Sequence, residues 1–290
     1  MTMTWTRIAT AAVLIPAVVA VVWWGPTGLV AALAALITGL ALLEFFALAE
    51  RAGLRAYRLW TLVCSATVFF AQWAAVQARS WTLGRDLRLT PFSAAPAPPL
   101  ELILLIFVAG LAVILFASQR PLAAALGDIG ASATGLVFIA FPLSTVVRLA
   151  AVDVIGPRLL LFVLALVWVG DTLAYLVGRR FGRLHMAPNL SAAKTWEGAA
   201  ANLLGSLAVG AAFAEWLGFN PWHTLAMAGL ANIAGQVGDL LESAYKRSAG
   251  VKDSGTLLPG HGGVLDRIDA LILAAPVVWY YFDLVLAARA

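Results

Sequence analysis

The sequence predicts an all-α protein, a polytopic transmembrane helix bundle of about nine spans. Three observations carry the prediction. Hydrophobic residues make up 62% of the 290-residue chain and charged residues only 12%, where soluble domains carry about 45–50% and about 25%. Apolar stretches of about 20 residues, the length that crosses a bilayer core, recur from one end to the other. No intervening segment is polar for long enough to form a soluble domain of its own.

The spans fall near residues 8–24, 28–48, 59–78, 101–117, 131–149, 159–178, 198–216, 222–241 and 268–287. They must be helical, because lipid offers no partner to backbone N–H and C=O groups. The first follows Arg7, ends at Trp23-Trp24-Gly25-Pro26 and lacks a small-residue cleavage pattern, so it reads as a retained span rather than a signal peptide. Gly25-Pro26, Gly53, Pro121, Gly156-Pro157, Gly218 and Pro221 mark turns. Residues 79–99 form a longer polar loop rich in proline toward its end, a linker to which no chemistry is assigned. The chain divides into 1–165, holding spans one to five and the start of the sixth, and 166–290, holding the remainder and the polar loops after spans six and eight.

A net charge of +4, with the basic residues dispersed, does not indicate nucleic-acid binding. With the N-terminus in the cytoplasm, thirteen Lys and Arg fall inside and six outside, which favours that orientation. The loops after spans six and eight then both face the cytoplasm. The lone Cys64 excludes an intramolecular disulfide and a cysteine metal site.

A carboxylate within a span costs about 2.5–3.5 kcal/mol at the bilayer centre, so such groups mark function. Asp171 lies in the sixth span, Asp239 near the end of the eighth, and Asp266 and Asp269 open the ninth. Asp239 and Glu242 share a helix face at i, i+3, and Asp266 and Asp269 repeat the spacing. All four gather at the cytoplasmic ends of two consecutive spans, a hard-oxygen set suited to Mg²⁺. Glu44, Glu50 and Asp283 sit toward span ends and read as interfacial acids.

The segment between these spans supplies Lys246, Arg247 and Lys252, followed by Arg267, as phosphate donors. Gly260, Gly262 and Gly263 permit close backbone approach, and His261 suits a phosphate donor or proton carrier. The N-terminal end of the ninth span is expected to add free N–H groups and the positive end of a helix dipole. Acids for metal, cations for phosphates and glycines for fit are the parts of phosphoryl and nucleotidyl transfer, although no Walker A or Gly-x-Gly-x-x-Gly pattern occurs. The loop after span six adds Arg179, Arg180 and Arg183, then Ser191, Lys194, Thr195 and Glu197. Glu197 also suits the first turn of the seventh span. His185 and His223 read as a loop residue and an interface residue.

Ser243, Lys246-Arg247, Lys252-Asp253, Gly255, Pro259 to Gly263, Asp266-Arg267 and Asp269 stand as in the signature of phosphatidate cytidylyltransferases, also called CDP-diacylglycerol synthases, and the chain resembles that family. Gly235-Gln236, Gly238-Asp239, Glu242-Ser243, Asp171 to Tyr175, Gly178-Arg179, Lys194-Thr195 and Glu197-Gly198 are similar to its other polar segments. The likeness covers about the last 120 residues well; the earlier part matches in hydropathy. Ala192, where members commonly carry Pro, and Ala199-Ala200-Ala201, where they often carry a Gly pair, depart from the pattern without loss of a charged group.

The resemblance implies conversion of CTP and phosphatidate to CDP-diacylglycerol and pyrophosphate, in phospholipid biosynthesis. It implies a cytoplasm-facing site, Mg²⁺ with a second, monovalent cation such as K⁺, and a homodimer; the compact size of the chain suggests a bacterial inner membrane. Asp239 and Asp266 match the family's metal-binding acids, with Glu242 and Asp269 beside them. Lys252, His261 and Arg267 join Asp239 and Asp266 as catalytic candidates. Asp171, Ser191, Lys194, Thr195, Glu197, Ser243, Lys246, Arg247, Asp253, Gly260, Gly262 and Gly263 are the substrate-binding candidates. Two other readings stay open. A CTP-dependent polyprenol-type lipid kinase would transfer the γ-phosphoryl group, and an ion-coupled transporter would use Asp171 and Asp239 as a relay.

Overall fold

A computed structural model describes residues 2–82, 98–257 and 262–287. Its helices are α1 (Thr2–Trp24), α2 (Thr27–Arg51), α3 (Arg58–Thr82), α4 (Leu100–Ala117), α5 (Ala125–Thr134), α6 (Phe141–Ala150), α7 (Gly156–Phe181), α8 (Trp196–Leu217), α9 (Pro221–Ser248) and α10 (Leu265–Tyr281). A wider-wound turn, Gly135–Ala140, joins α5 to α6 in one rod. Pro142 has no N–H to return to Phe138, so the helix opens just before it. At Gly135 a Cβ would come within 3.1 Å of Leu42 and Phe46, and its absence lets this rod lie against α2.

Every expected span position holds a helix, but among the described residues seven helical segments are long and apolar enough to cross a membrane. Two expected spans fall short by that measure. The apolar part described for α1 is the short stretch Ala12–Trp24. In α9, Asn232, Gln236, Asp239 and Glu242 interrupt the apolar sequence. The long loop expected over 79–99 lies mostly outside the described residues, and α3 runs on to Thr82. The protein is an all-α, integral membrane bundle.

Two apolar cores hold the bundle, and α10 belongs to both. Leu265, Ile268 and Ile272 pack with Leu42, Phe46, Phe107 and Leu136 in one. Ala275, Val278 and Trp279 pack with Leu159, Phe162, Leu166 and Met227 in the other. With lipid outside as apolar as leucine, close packing carries the association, and small residues set its distance. α7 meets α8 where Gly170 faces Asn202 and Ser206 and where Gly205 faces Leu173. α9 meets α10 at Gly235 and Gly238, whose Cβ atoms would lie 3.2 Å from the Ala270 carbonyl oxygen and 2.7 Å from that of Asp269.

Two polar devices finish the end of the bundle at which α9 stops and α10 starts. Asp128, 2% exposed, accepts the Arg55 N–H at 2.6 Å and pairs with Arg120 at 3.0 Å, closing the α2–α3 turn over the start of α5. Arg120 also covers the Tyr57 ring at 4.5 Å. The polar loop after α7 is built as an antiparallel hairpin of β1 (His185–Ala187) and β2 (Ser191–Thr195), with His185 opposite Thr195 and Ala187 opposite Ser191. Glu197 anchors the hairpin by accepting the Arg183 N–H at 3.1 Å and the Leu184 N–H at 3.2 Å.

Candidate active site

The acids of α9 and α10 converge as their spacing requires. Asp239 and Glu242 project from one face of α9, Asp269 from the first turns of α10, and one oxygen of each lies within 4.8 Å of the others. The bare Cα of Gly238, against the Asp269 carbonyl, permits that approach. Lys194 on β2 reaches Asp239 at 2.7 Å and the Ser243 hydroxyl at 3.4 Å. Lys246 ion-pairs with Glu242 one turn before it and with Asp266 at 2.7 Å.

Burying carboxylates together is unfavourable unless cations and donors satisfy them. Glu242 is 1% exposed, and apart from the Lys246 ion pair neither of its oxygens meets a well-aligned hydrogen-bond donor. Asp239, Glu242 and Asp266 thus share the ammonium groups of Lys194 and Lys246, while Asp269 accepts the Ala270 N–H at 2.7 Å. Three converging oxygen ligands, one carboxylate of which has acceptor capacity left over, fit a hard divalent cation.

Asp266 stands apart from this trio. Its Oδ1 accepts from Lys246, while Oδ2 accepts from the Ser254 N–H at 2.9 Å, the Ser254 hydroxyl at 3.0 Å and the Gly263 N–H at 2.8 Å. Gly262, at φ +81°, turns the chain so that the Gly263 N–H points at Asp266. The N-terminus of α10 is likewise engaged. Glu44 of α2 accepts the Val264 N–H at 3.0 Å, the Leu265 N–H at 2.9 Å and the Ser254 hydroxyl at 2.9 Å. The free N–H groups expected there for phosphate are therefore taken by a carboxylate, and Glu44, read from sequence as interfacial, belongs to the site's frame.

Beside the acids lies a cavity of about 310 Å³ between the hairpin, α7, α8 and α9. Asp171, Ser191, Lys194, Gln236 and Asp239 form its polar wall, and Tyr175, Met186 and Leu240 its apolar one. Asp171 accepts from Asn202 at 3.2 Å; Asn232 donates to Asn202 and, at 2.7 Å, to Ser206; Gln236 donates to Asn232 at 2.6 Å. This amide chain runs from the cavity into the bundle, and sequence reading passed over Asn202, Asn232 and Ser206. Amides inside apolar helices were the available signal.

The remaining candidates divide. Thr195 is buried and caps α8, its hydroxyl accepting the Gly198 N–H at 3.2 Å. Glu197 is the hairpin anchor. Arg247 donates to the Leu190 carbonyl at 2.9 Å and the Val251 carbonyl at 2.5 Å, tying the hairpin tip to the end of α9. Lys252 and Asp253 are exposed on the following loop. Arg267 is exposed on the first turn of α10, close enough for its charge to act on Asp171. His185 pairs within the hairpin, and His223 meets the Tyr281 hydroxyl at 2.9 Å at the other end of α9. Gly260 and His261 lie outside the described residues.

Fold and site define a polytopic membrane protein with a carboxylate-and-lysine centre at one end of its helices and a polar cavity beside it. A model of the cytidylyltransferase family matches residues 5–285, and the chain belongs to that family. It is 43% identical over 137 residues to the phosphatidate cytidylyltransferase of Haemophilus influenzae, covering 45% of this chain and 48% of the relative. Against the phosphatidate cytidylyltransferase of Brucella abortus identity is 41% over 156 residues, 52% of this chain and 57% of the relative. Against that of Staphylococcus aureus it is 42% over 125 residues, 42% and 48% respectively. The chain spans about half the length of these curated relatives.

Proposed function

We propose that this chain transfers the cytidylyl group of CTP to phosphatidate, giving CDP-diacylglycerol and pyrophosphate. The observation that carries the reading is the converging trio Asp239, Glu242 and Asp269, with Glu242 buried, beside a cavity lined by Lys194, in a chain of the cytidylyltransferase family. An oxygen of the phosphatidate phosphate attacks the α-phosphorus of CTP, the bond from that phosphorus to the bridging oxygen breaks, and pyrophosphate leaves with the electron pair. The attacking phosphate is already anionic, so the protein's task is positioning and charge neutralisation rather than proton removal.

Asp239, Glu242 and Asp269 are assigned to hold Mg²⁺, which supplies charge neutralisation for the triphosphate. Asp266, already saturated with donors, is assigned to the frame that holds Lys246 and the 254–263 loop. Lys194, on the cavity wall, holds phosphate, with Lys252 and Arg267 approaching from the loop and α10. Asp171 and Ser191 complete the cavity, and Tyr175, Met186 and Leu240 offer the apolar surface a lipid needs. His261 and Gly260 are assigned to catalysis and substrate binding by the family resemblance. The positive-inside count supports a cytoplasm-facing site, and the bacterial relatives support an inner membrane. A monovalent cation and pairing of two copies are carried in the same proposal by the family resemblance.

The test uses purified protein in detergent with phosphatidate, Mg²⁺ and CTP labelled separately at the α and γ positions. α-Label in lipid with γ-label in pyrophosphate supports the proposal. γ-Label in lipid replaces it with a lipid kinase, and no label in lipid rejects both. Asp239→Asn is expected to abolish transfer while the protein still inserts and purifies normally; near-normal activity would remove Asp239 from the metal set.

A further inference from the structure

We infer that Glu44 is a positioning residue for the metal-and-nucleotide site, acting from α2 on the start of α10 through backbone N–H groups; the inference rests on the cytidylyl-transfer reading. All three donors to Glu44 come from one short segment 210 or more positions away in sequence. That segment also supplies the Ser254 and Gly263 donors to Asp266, and Asp266 in turn holds Lys246 against Glu242. The chain of contacts therefore runs from α2 to a carboxylate of the trio.

The Ser254 hydroxyl is the joint in this chain. It lies 2.9 Å from Glu44 and 3.0 Å from Asp266, and it has one proton to share between them. Ser254 is 7% exposed, so water does not substitute freely for either partner. Two glycines record the same closeness. A Cβ at Gly255 would lie 2.5 Å from the Glu44 carboxylate, and one at Gly263 would overlap both Glu44 and Ser254. The loop is backbone-thin where Glu44 enters it. Because Val264 and Leu265 begin α10, fixing their N–H groups fixes the direction in which that helix leaves the loop and, one turn on, the place of Asp269.

An anchor of this kind touches neither substrate nor metal, and its loss is read through the ligands it aims. Outer-shell partners of metal ligands typically change affinity 10- to 100-fold. In Glu44→Ala we expect Mn²⁺ binding, followed by its EPR signal in detergent, to weaken roughly tenfold or more. The Mg²⁺ concentration giving half-maximal transfer should rise by a similar factor, while transfer at saturating Mg²⁺ falls much less. Hydrogen exchange on the metal-free protein should show Val264 and Leu265 losing protection.

Ser254→Ala should weaken Mn²⁺ binding alone and add little on top of Glu44→Ala, since both cut one chain. If Glu44→Ala does not fold, Glu44→Gln, which keeps the volume and one acceptor oxygen, and Ser254→Ala carry the same measurements. Wild-type Mn²⁺ binding and an unmoved Mg²⁺ requirement in the folded variants would overturn the inference, as would full additivity of the pair. Weakened Mn²⁺ binding in a protein that transfers no cytidylyl group would sink the proposed reaction and leave the positioning role standing.

Discussion

A single methyl group placed at Gly238 tests how the trio is assembled. The added Cβ of Gly238→Ala would lie 2.7 Å from the Asp269 carbonyl oxygen, whereas ordinary contact begins at 3.4 Å. The obstacle is backbone of α10, which cannot swing aside like a side chain, so α9 and α10 must part locally by about 0.7 Å. That movement carries Asp269 away from Asp239 and Glu242. A misplacement near 1 Å costs about 10²-fold in a site of this type, and forcing a methyl into a packed seam costs about 1–3 kcal/mol. We expect transfer at limiting Mg²⁺ to fall roughly 10- to 100-fold, partly recovered by more Mg²⁺, with modestly lower thermal stability. The assay is a Mg²⁺ titration of lipid product formation alongside unfolding in detergent. Gly229→Ala is the control, because its Cβ would stand at an ordinary 3.6 Å from Leu207. A Gly238→Ala protein with wild-type rate and wild-type Mg²⁺ dependence would refute the argument that helix approach sets the site.

Lys194→Met removes the ammonium group now paired with Asp239 at 2.7 Å. Mn²⁺ should bind no more weakly than before, because a competing cation is gone, while the KM for CTP rises about tenfold as a charge-assisted phosphate contact is lost; parallel loss of both would place Lys194 in the frame instead. Asp128→Ala leaves the Arg55 N–H and Arg120 without their shared acceptor, and should lower stability by about 2 kcal/mol. Transfer per folded molecule, measured after separating folded from aggregated protein, should be unchanged in that variant.

The helices were legible because apolar runs of bilayer length leave the backbone no other solution. The acid trio was legible in part, since i, i+3 spacing on α9 fixes a shared face whatever surrounds it. Asp266 repeats that spacing with Asp269, yet the loop folds back so that Ser254 and Gly263 enclose it, and no local pattern reports such a closure. Glu44 illustrates the same limit. Its neighbours in sequence are apolar, its partners lie more than two hundred positions away, and one carboxylate near a span end looks like any other. Asn202 and Asn232 were visible as amides inside helices, but their joining of Asp171 to Gln236 depends on how α8 and α9 turn toward each other. α9 failed the simple measure of a span for the very reason that it serves the site: its polar residues face inward.

The link between Glu44 and Leu265 also imposes an order on the protein's making. The two residues are separated by 221 positions, and at about 5–20 residues per second a ribosome needs roughly 10 to 45 s to travel between them. For that interval α2 resides in the bilayer with a carboxylate whose eventual donors do not yet exist. Water at the membrane surface must serve in their place until α10 is threaded. Helix α10 therefore completes an arrangement that α2 began long before it, and a chain cut short before residue 264 would leave the Glu44 carboxylate without the Val264 and Leu265 N–H groups that satisfy it.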